Sequence, residues 1–328
     1  MFDFLLPVAS ILHMSSFLTY SIRVSLWVLF CVVCFLLACN QEDASKEIDL
    51  TERRQILSRT ELDSLTYAYL PQYSHRVSFS RHHLIVEYLS EKTGLPIRQV
   101  FPDTFAEHVE MVGEGSIDIS FSNPLVYVKI ADRFQARAFA RIVEENGRTA
   151  FKGQIICRQD NKAIDNLQDC KNKRWMAVDP QSAAGYLFAL NHFLKHDISK
   201  KDFREISFAP GPGAKQEKVV LAVYLGECDI GSIREGTLNL VRDQIDLDAI
   251  RVLDSTREFP SWVYAARKGM DPEVVEKIKQ ALLELDTSNP EHRDILEKAN
   301  FGGIVPASDQ DFDPIRNLLR RVKEGSNE

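Results

Sequence analysis

The 328-residue chain is poor in cysteine, in excess positive charge and in long apolar runs. Three of its six cysteines fall within the first 39 residues, leaving Cys157, Cys170 and Cys228 beyond them. These three make no Cys-x-x-Cys pair and no Cys/His spacing of the zinc type, so no metal site is expected. A Cys157–Cys170 bridge is compatible with an oxidising compartment. Each of the three, however, sits where an apolar residue would also serve, which predicts buried free thiols. Lys and Arg number 40 against 47 Asp and Glu, a net charge of -7, and no basic stripe marks a nucleic-acid partner. There is no Gly-x-Ser-x-Gly elbow and no Ser/His/Asp arrangement. The acidic pairs Glu227/Asp229 and Asp246/Asp248 fall at the ends of predicted elements, where carboxylates are routine. Neither catalysis nor a cofactor is expected. His75, His82 and His83 form a local histidine cluster that reads as a solvated helix face.

What is present is an ordinary globular composition, 45% apolar and 27% charged, with room for two domains. One apolar run stands out. Residues 25–38 (SLWVLFCVVCFLLA) follow Arg23 and precede a cysteine and a polar, acidic stretch. The run is short for a bilayer span and has the charged flank, apolar centre and small-residue end of a signal peptide. Leu36-Leu37-Ala38-Cys39 resembles the lipobox of bacterial lipoproteins, which implies lipid on Cys39 as the mature N-terminus; the alternative is an uncleaved anchor. Either way the globular part is expected outside the cytoplasm and held at a membrane. Met14 reads as the start of the signal, and residues 40–60 read as a tether.

The chain is organised around Arg174 to His196. Trp175 to Val178 has the length of a strand, Asp179-Pro180 signals a turn, and Ser182 is placed to cap a helix carrying Tyr186, Leu187, Leu190, Phe193 and Leu194 at helical spacing. The unpaired N–H groups of such a first turn attract anions, and Ala183, Ala184 and Gly185 are small enough for close approach. Around this stretch strands alternate with helices. Strands are expected at 65–70, 96–100, 117–121, 139–144, 153–158, 175–178, 203–208, 228–233, 251–253 and 262–267. Helices are expected at 79–93, 103–113, 127–131, 163–169, 186–194, 215–225, 272–285 and 292–300. This pattern predicts mostly parallel sheets flanked by helices, with ligands beyond the carboxyl ends of the strands. Crossings near residues 152 and 255 divide the chain into lobe 1 (61–152 and 256–328) and lobe 2 (153–255). Residues 1–39 are the signal segment.

Five stretches then carry a family likeness: YLSEKTG (88–94), PDTFAEHVEMVGEGSIDISFSNPLVY (102–127), DPQSAAGY (179–186), LAVYLGECDIG (221–231) and FPSWVYAARKGM (259–270). In order and spacing, from about Tyr67 to Phe312, the chain resembles the phosphonate-binding proteins, extracytoplasmic solute-binding components of phosphate, phosphite and phosphonate ABC transporters. The resemblance implies a type II α/β clamshell that closes on a small oxyanion and presents it to a permease. It also implies departures at the site. Phe105 and Phe121 stand where relatives often carry Tyr, Ala183 and Ala184 replace two hydroxyls after Ser182, and Gln216 stands where a His is usual. Each lost hydrogen bond to a charged ligand removes about 1.5 to 3 kcal/mol. Arg234 is the candidate for a compensating bidentate grip. Ser122, at a strand end, and Phe105, Phe121 and Trp262 complete the expected lining, the aromatics either facing an apolar part of the solute or lying in the core. The Arg234 to Leu238 run is similar to sensor-type members, so a membrane sensor kinase is the alternative partner.

Overall fold

In the computed structural model the described residues are 64–324. The signal segment, the tether and Cys39 lie outside them. Thirteen strands are formed among the described residues: β1 (Leu65–Tyr69), β2 (Ile97–Val100), β3 (Ile119–Ser122), β4 (Arg137–Val143), β5 (Ala150–Phe151), β6 (Gly153–Arg158), β7 (Arg174–Ala177), β8 (Glu205–Phe208), β9 (Ile230–Arg234), β10 (Ile250–Ser255), β11 (Phe259–Pro260), β12 (Val263–Ala266) and β13 (Gly303–Pro306). They build a six-stranded sheet, β13-β4-β12-β3-β1-β2, and a five-stranded sheet, β10-β6-β9-β7-β8. In the first, β1 pairs in parallel with β2 and β3, while β12 runs antiparallel between β3 and β4. In the second, β7 is parallel to β8 and β9, and β6 runs against both β9 and β10. In the first sheet β1, β2, β3 and β4 share one direction and β12 and β13 run against them; in the second β7, β8, β9 and β10 share one direction and β6 runs against them.

Local chemistry accounts for the helix starts. Ser74 caps the helix His75–Thr93, Thr104 accepts from Glu107 N–H to open Phe105–Glu114, and Asn123 accepts from Leu125 and Val126 N–H to open Pro124–Phe134. Pro124 sits at the first helical position, where its missing N–H is no loss. The first helix starts four residues before the expected Phe79, because the Ser74 cap precedes its apolar face.

That helix turns His82 inward. The expected solvated histidine face holds for neither its middle member nor its chemistry: His82 is 1% exposed, stacks on Tyr69 at 4.4 Å and bonds Tyr67 Oη through Nδ1 at 2.7 Å. Ile85, Val86 and Leu89 are buried on the same side, and a ring one turn before them shares their face.

Two segments cross between the sheets, and β5 pairs with β11 antiparallel there, placing Phe151 opposite Phe259. Phe259 stacks on Phe188 at 4.0 Å, so an aromatic plug packs the crossing. A strand at 303–306 and a helix at Asp313–Glu324 close the chain; neither is anticipated in the sequence reading. The three cysteines are free and buried.

Candidate functional site

The turn after β7 forms as a single compact unit. Asp179 Oδ1 accepts from Gln181 N–H at 2.9 Å, Ser182 N–H donates to Asp179 O at 2.9 Å, and the Ser182 hydroxyl accepts from Gly185 N–H at 3.1 Å. The helix it opens begins as a π-type turn over Ala183–Phe188 before the α-helix Ala189–Lys195, with Leu187 N–H reaching back to Ser182 O. Gly185 is required by packing: a Cβ there would lie 2.3 Å from Val178 Cγ2. Ala183 and Ala184 are buried with it.

Across from this turn lie the carboxyl ends of β1 and β3 and the amino end of β12. Register sets Tyr69 opposite Phe121 and Phe121 opposite Tyr264, so the three rings form one row on one face of the sheet. Phe121 lies 5.6 Å from the Tyr69 ring and 5.3 Å from Trp262, and Phe121 and Trp262 are both buried. Ser122 ends β3 fully buried, its hydroxyl without a protein partner among the described residues. Phe105 opens its helix, buried, with Lys215 Nζ 6.0 Å above its ring.

The lobes meet through polar contacts. Asn123 Nδ2 donates to Gln181 O at 3.2 Å, Lys129 Nζ donates to Gln181 Oε1 at 3.2 Å, and Lys215 N–H donates to Gln72 O at 3.3 Å. Gly213, at φ +59°, lets the chain come within about a van der Waals contact of the Tyr73–Ser74 backbone, 3.1 Å from where its Cβ would stand. Lys215 is itself held by Asp179 at 2.6 Å.

At one end of this interface is a cavity of about 250 Å³. Arg234, Glu235, Gly236, Thr237 and Asn239 line it from lobe 2; Tyr73, Arg81, Glu144, Asn146 and Asn300 line it from the other side. Arg234 Nη2 donates to Glu144 Oε2 at 2.5 Å, and its guanidinium carbon stands 4.9 Å from the Phe151 ring. Gln216 Oε1 accepts from Arg234 N–H at 2.9 Å and so fixes the base of that side chain. Arg234 Nε and Glu144 Oε1 are buried with no protein partner among the described residues. Burial works against the Arg234 charge, but Glu144 and then the Tyr73 and Tyr69 phenols hold it above its ordinary value. Burial opposes the Arg81 charge too, and Tyr73 and Tyr69 outweigh it, with Arg234 pulling the other way. Arg81 also lies 4.4 Å over the Tyr73 ring. On the facing helix Lys215–Tyr224, Glu217 is raised by burial, its Oε2 unpartnered among the described residues. The arrangement is two arginines from opposite lobes facing a small polar space, with the carboxylates of Glu144, Glu145 and Glu235, amides and a phenol around them.

Of the expected residues, Arg234 lines this cavity and Gln216 supports it. Phe121, Ser122 and Trp262 lie in the sheet beneath, and Ser182 to Gly185 and Phe105 flank the interface. Arg81, Tyr73, Glu144 and Asn300 were not anticipated. Arg81 stands one turn after Val77 on the helix that covers β1, a signal visible only as an arginine beside a buried histidine.

Two α/β lobes joined by two crossings, with a charged cavity between them, define a type II clamshell that binds a solute between its halves. The chain belongs to the family described as ABC transporter, phosphonate, periplasmic substrate-binding protein, whose model matches residues 67–312. It is 24% identical over 273 residues to the phosphate-import protein PhnD of Mycolicibacterium smegmatis, covering 78% of this chain and 85% of that one. It is 24% identical over 237 residues to the phosphonates-binding periplasmic protein of Escherichia coli, covering 70% of this chain and 68% of that one. The fold matches PhnD1 from Prochlorococcus marinus, solved with methylphosphonate, at a TM-score of 0.72 and 16% identity, covering 80% of this chain and 98% of that one. The protein is therefore an extracytoplasmic substrate-binding component of transport. No helix among the described residues is long and apolar enough to cross a membrane.

Proposed function

We propose that the chain binds a small oxyanion of the phosphonate or phosphate kind in the cavity between its lobes and delivers it to an ABC permease. The observation that carries this reading is Arg234, a mostly buried guanidinium lining that cavity, with its Nε–H unpartnered among the described residues. Arg81 supplies a second cation from the opposite lobe, so closure brings positive charge to both sides of an anion. The cavity of about 250 Å³ is smaller than the range for drug-sized ligands, about 300 Å³ and up, and suits a solute of few heavy atoms. Ser182 to Gly185, Ser122 and the aromatic floor of Phe105, Phe121 and Trp262 shape the surroundings. Lobe 1 comprises residues 61–152 and 256–328, and lobe 2 residues 153–255. Cys39 carries the lipid that tethers the protein to a membrane after removal of residues 1–38.

A thermal-shift and calorimetric panel of phosphate, phosphite, methylphosphonate, sulfate, alkylsulfonates, carboxylates and small uncharged and aromatic solutes tests it. A solute at 100 times its dissociation constant adds about 2.7 kcal/mol. Stabilisation by phosphate, phosphite or methylphosphonate, lost in Arg234→Ala, supports the reading. Stabilisation only by uncharged or aromatic solutes overturns it, and no response from any member of the panel favours a sensor partner over transport.

A further inference from the structure

We propose that lobe 2 carries a divalent transition-metal site made by His192, His196 and Asp254, separate from the solute cavity and independent of the proposed ligand. The ligand atoms of these three side chains lie within 4.8 Å of one another. His192 and His196 are four apart at the end of the helix Ala189–Lys195, so both rings project from one face, 4.8 Å between centroids. The His196 backbone is held at both ends: its N–H donates to Phe193 O, and its carbonyl accepts from Gln168 Nε2 at 2.6 Å.

Asp254 comes from elsewhere in the chain. It stands on β10, the edge strand of the second sheet, just after a register shift between Val252 and Asp254. Such a bulge re-aims a side chain. Asp254 Oδ1 accepts from Ser255 N–H at 2.7 Å, and Oδ2 lies 2.9 Å from His192 Nε2. One carboxylate oxygen is thus held by backbone and the other faces the imidazoles.

Ligands about 2.0 to 2.1 Å from a tetrahedral ion stand about 3.4 Å apart, so small side-chain rotations close the set around a metal. Two imidazoles and a carboxylate suit Zn²⁺, Co²⁺, Ni²⁺ or Cu²⁺ and disfavour Mg²⁺ and Ca²⁺, which want oxygen alone. The fourth position is left to water. A bound ion would clamp the helix end to an otherwise open sheet edge, two residues before Thr256, which exchanges hydrogen bonds with Gly153 at the crossing.

The test is Zn²⁺ titration into the full chain carrying no polyhistidine tag, by calorimetry and by thermal unfolding with and without chelator, with Co²⁺ absorption as a signature of nitrogen and oxygen ligation. The expected result is one equivalent of Zn²⁺ bound, a rise in Tm that chelator reverses, and affinity at least tenfold weaker in His196→Gln. His196 is exposed, so that variant leaves the fold intact; Asp254→Asn should weaken Zn²⁺ likewise while methylphosphonate binding is unchanged. Equal Zn²⁺ affinity in wild type and His196→Gln, or no Zn²⁺ binding by wild type, overturns the site.

Discussion

Arg234 of β9 and Glu144 at the end of β4 join the two lobes through a 2.5 Å bond from Nη2 to Oε2, both side chains mostly buried. The pair holds a guanidinium in the cavity, yet it also sets a carboxylate in competition with any anion that enters.

Arg234→Ala is therefore expected to weaken oxyanion binding at least tenfold and to destabilise the fold by about 3 kcal/mol, because Glu144 is left buried and uncompensated. Glu144→Gln is expected to tighten binding of methylphosphonate or phosphate, since Arg234 loses its competitor. Calorimetry on both variants checks this, and equal oxyanion affinity in wild type and Arg234→Ala would sink the Arg234 role.

Burial, aided by Arg81, lowers His82 from 6.5 to about 3, and burial alone lowers His108 from 6.5 to about 3. Both are neutral in the folded state and bind protons below pH 6.5 once unfolded. Their contribution is complete above pH 6.5 and is lost as pH falls toward 3. At pH 5 each removes about 2 kcal/mol. Urea unfolding at pH 7.5 and pH 5 should show this fall, and His108→Gln should roughly halve it; an unchanged slope in the variant would refute the assignment.

Gly185→Ala places a methyl 2.3 Å from Val178 Cγ2. A loss of about 1 to 3 kcal/mol is expected. Adding Val178→Ala removes the nearest atom, Cγ2, and leaves Val178 Cβ at 2.6 Å and Ser182 Oγ at 2.9 Å, so the two changes should cost less together than the sum of each alone without full recovery, read by a double-mutant cycle in chemical denaturation. Strict additivity would show that the turn relaxes another way.

Burial pushes the Cys170 and Cys228 thiols up to about 12 and raises Cys157 as well. None of the three should react with a thiol reagent at neutral pH until the protein unfolds. Peptide mapping after labelling of native and denatured protein reads this directly. Rapid native labelling at any of them would contradict the packing.

Much of this protein could be read along the chain because the signals are local. Thr104 and Ser182 cap the helices expected after them, since a cap depends on residues two or three positions away; Ser74 and Asn123 do the same, but the helices behind them were expected to start later, at Phe79 and Tyr127. Strand–helix alternation and the five matched stretches led to the clamshell family. Where locality failed, so did the reading. His82 sits beside His83 in a polar run, and only packing against Tyr69 across the sheet makes it a core residue.

The sequence by itself determined the α/β alternation, the caps at Thr104 and Ser182, the signal-like N-terminal run and the family, each of which depends on near neighbours or on the order of motifs. Tertiary structure alone decided which charges meet. Arg81 and Arg234 are far apart in the chain, Glu144 reaches Arg234 across 90 residues, and Asp254 reaches His192 across 62. Charge pairing acts through space at a few ångströms, and only the packing of two lobes and the bulge in β10 bring those partners within its range.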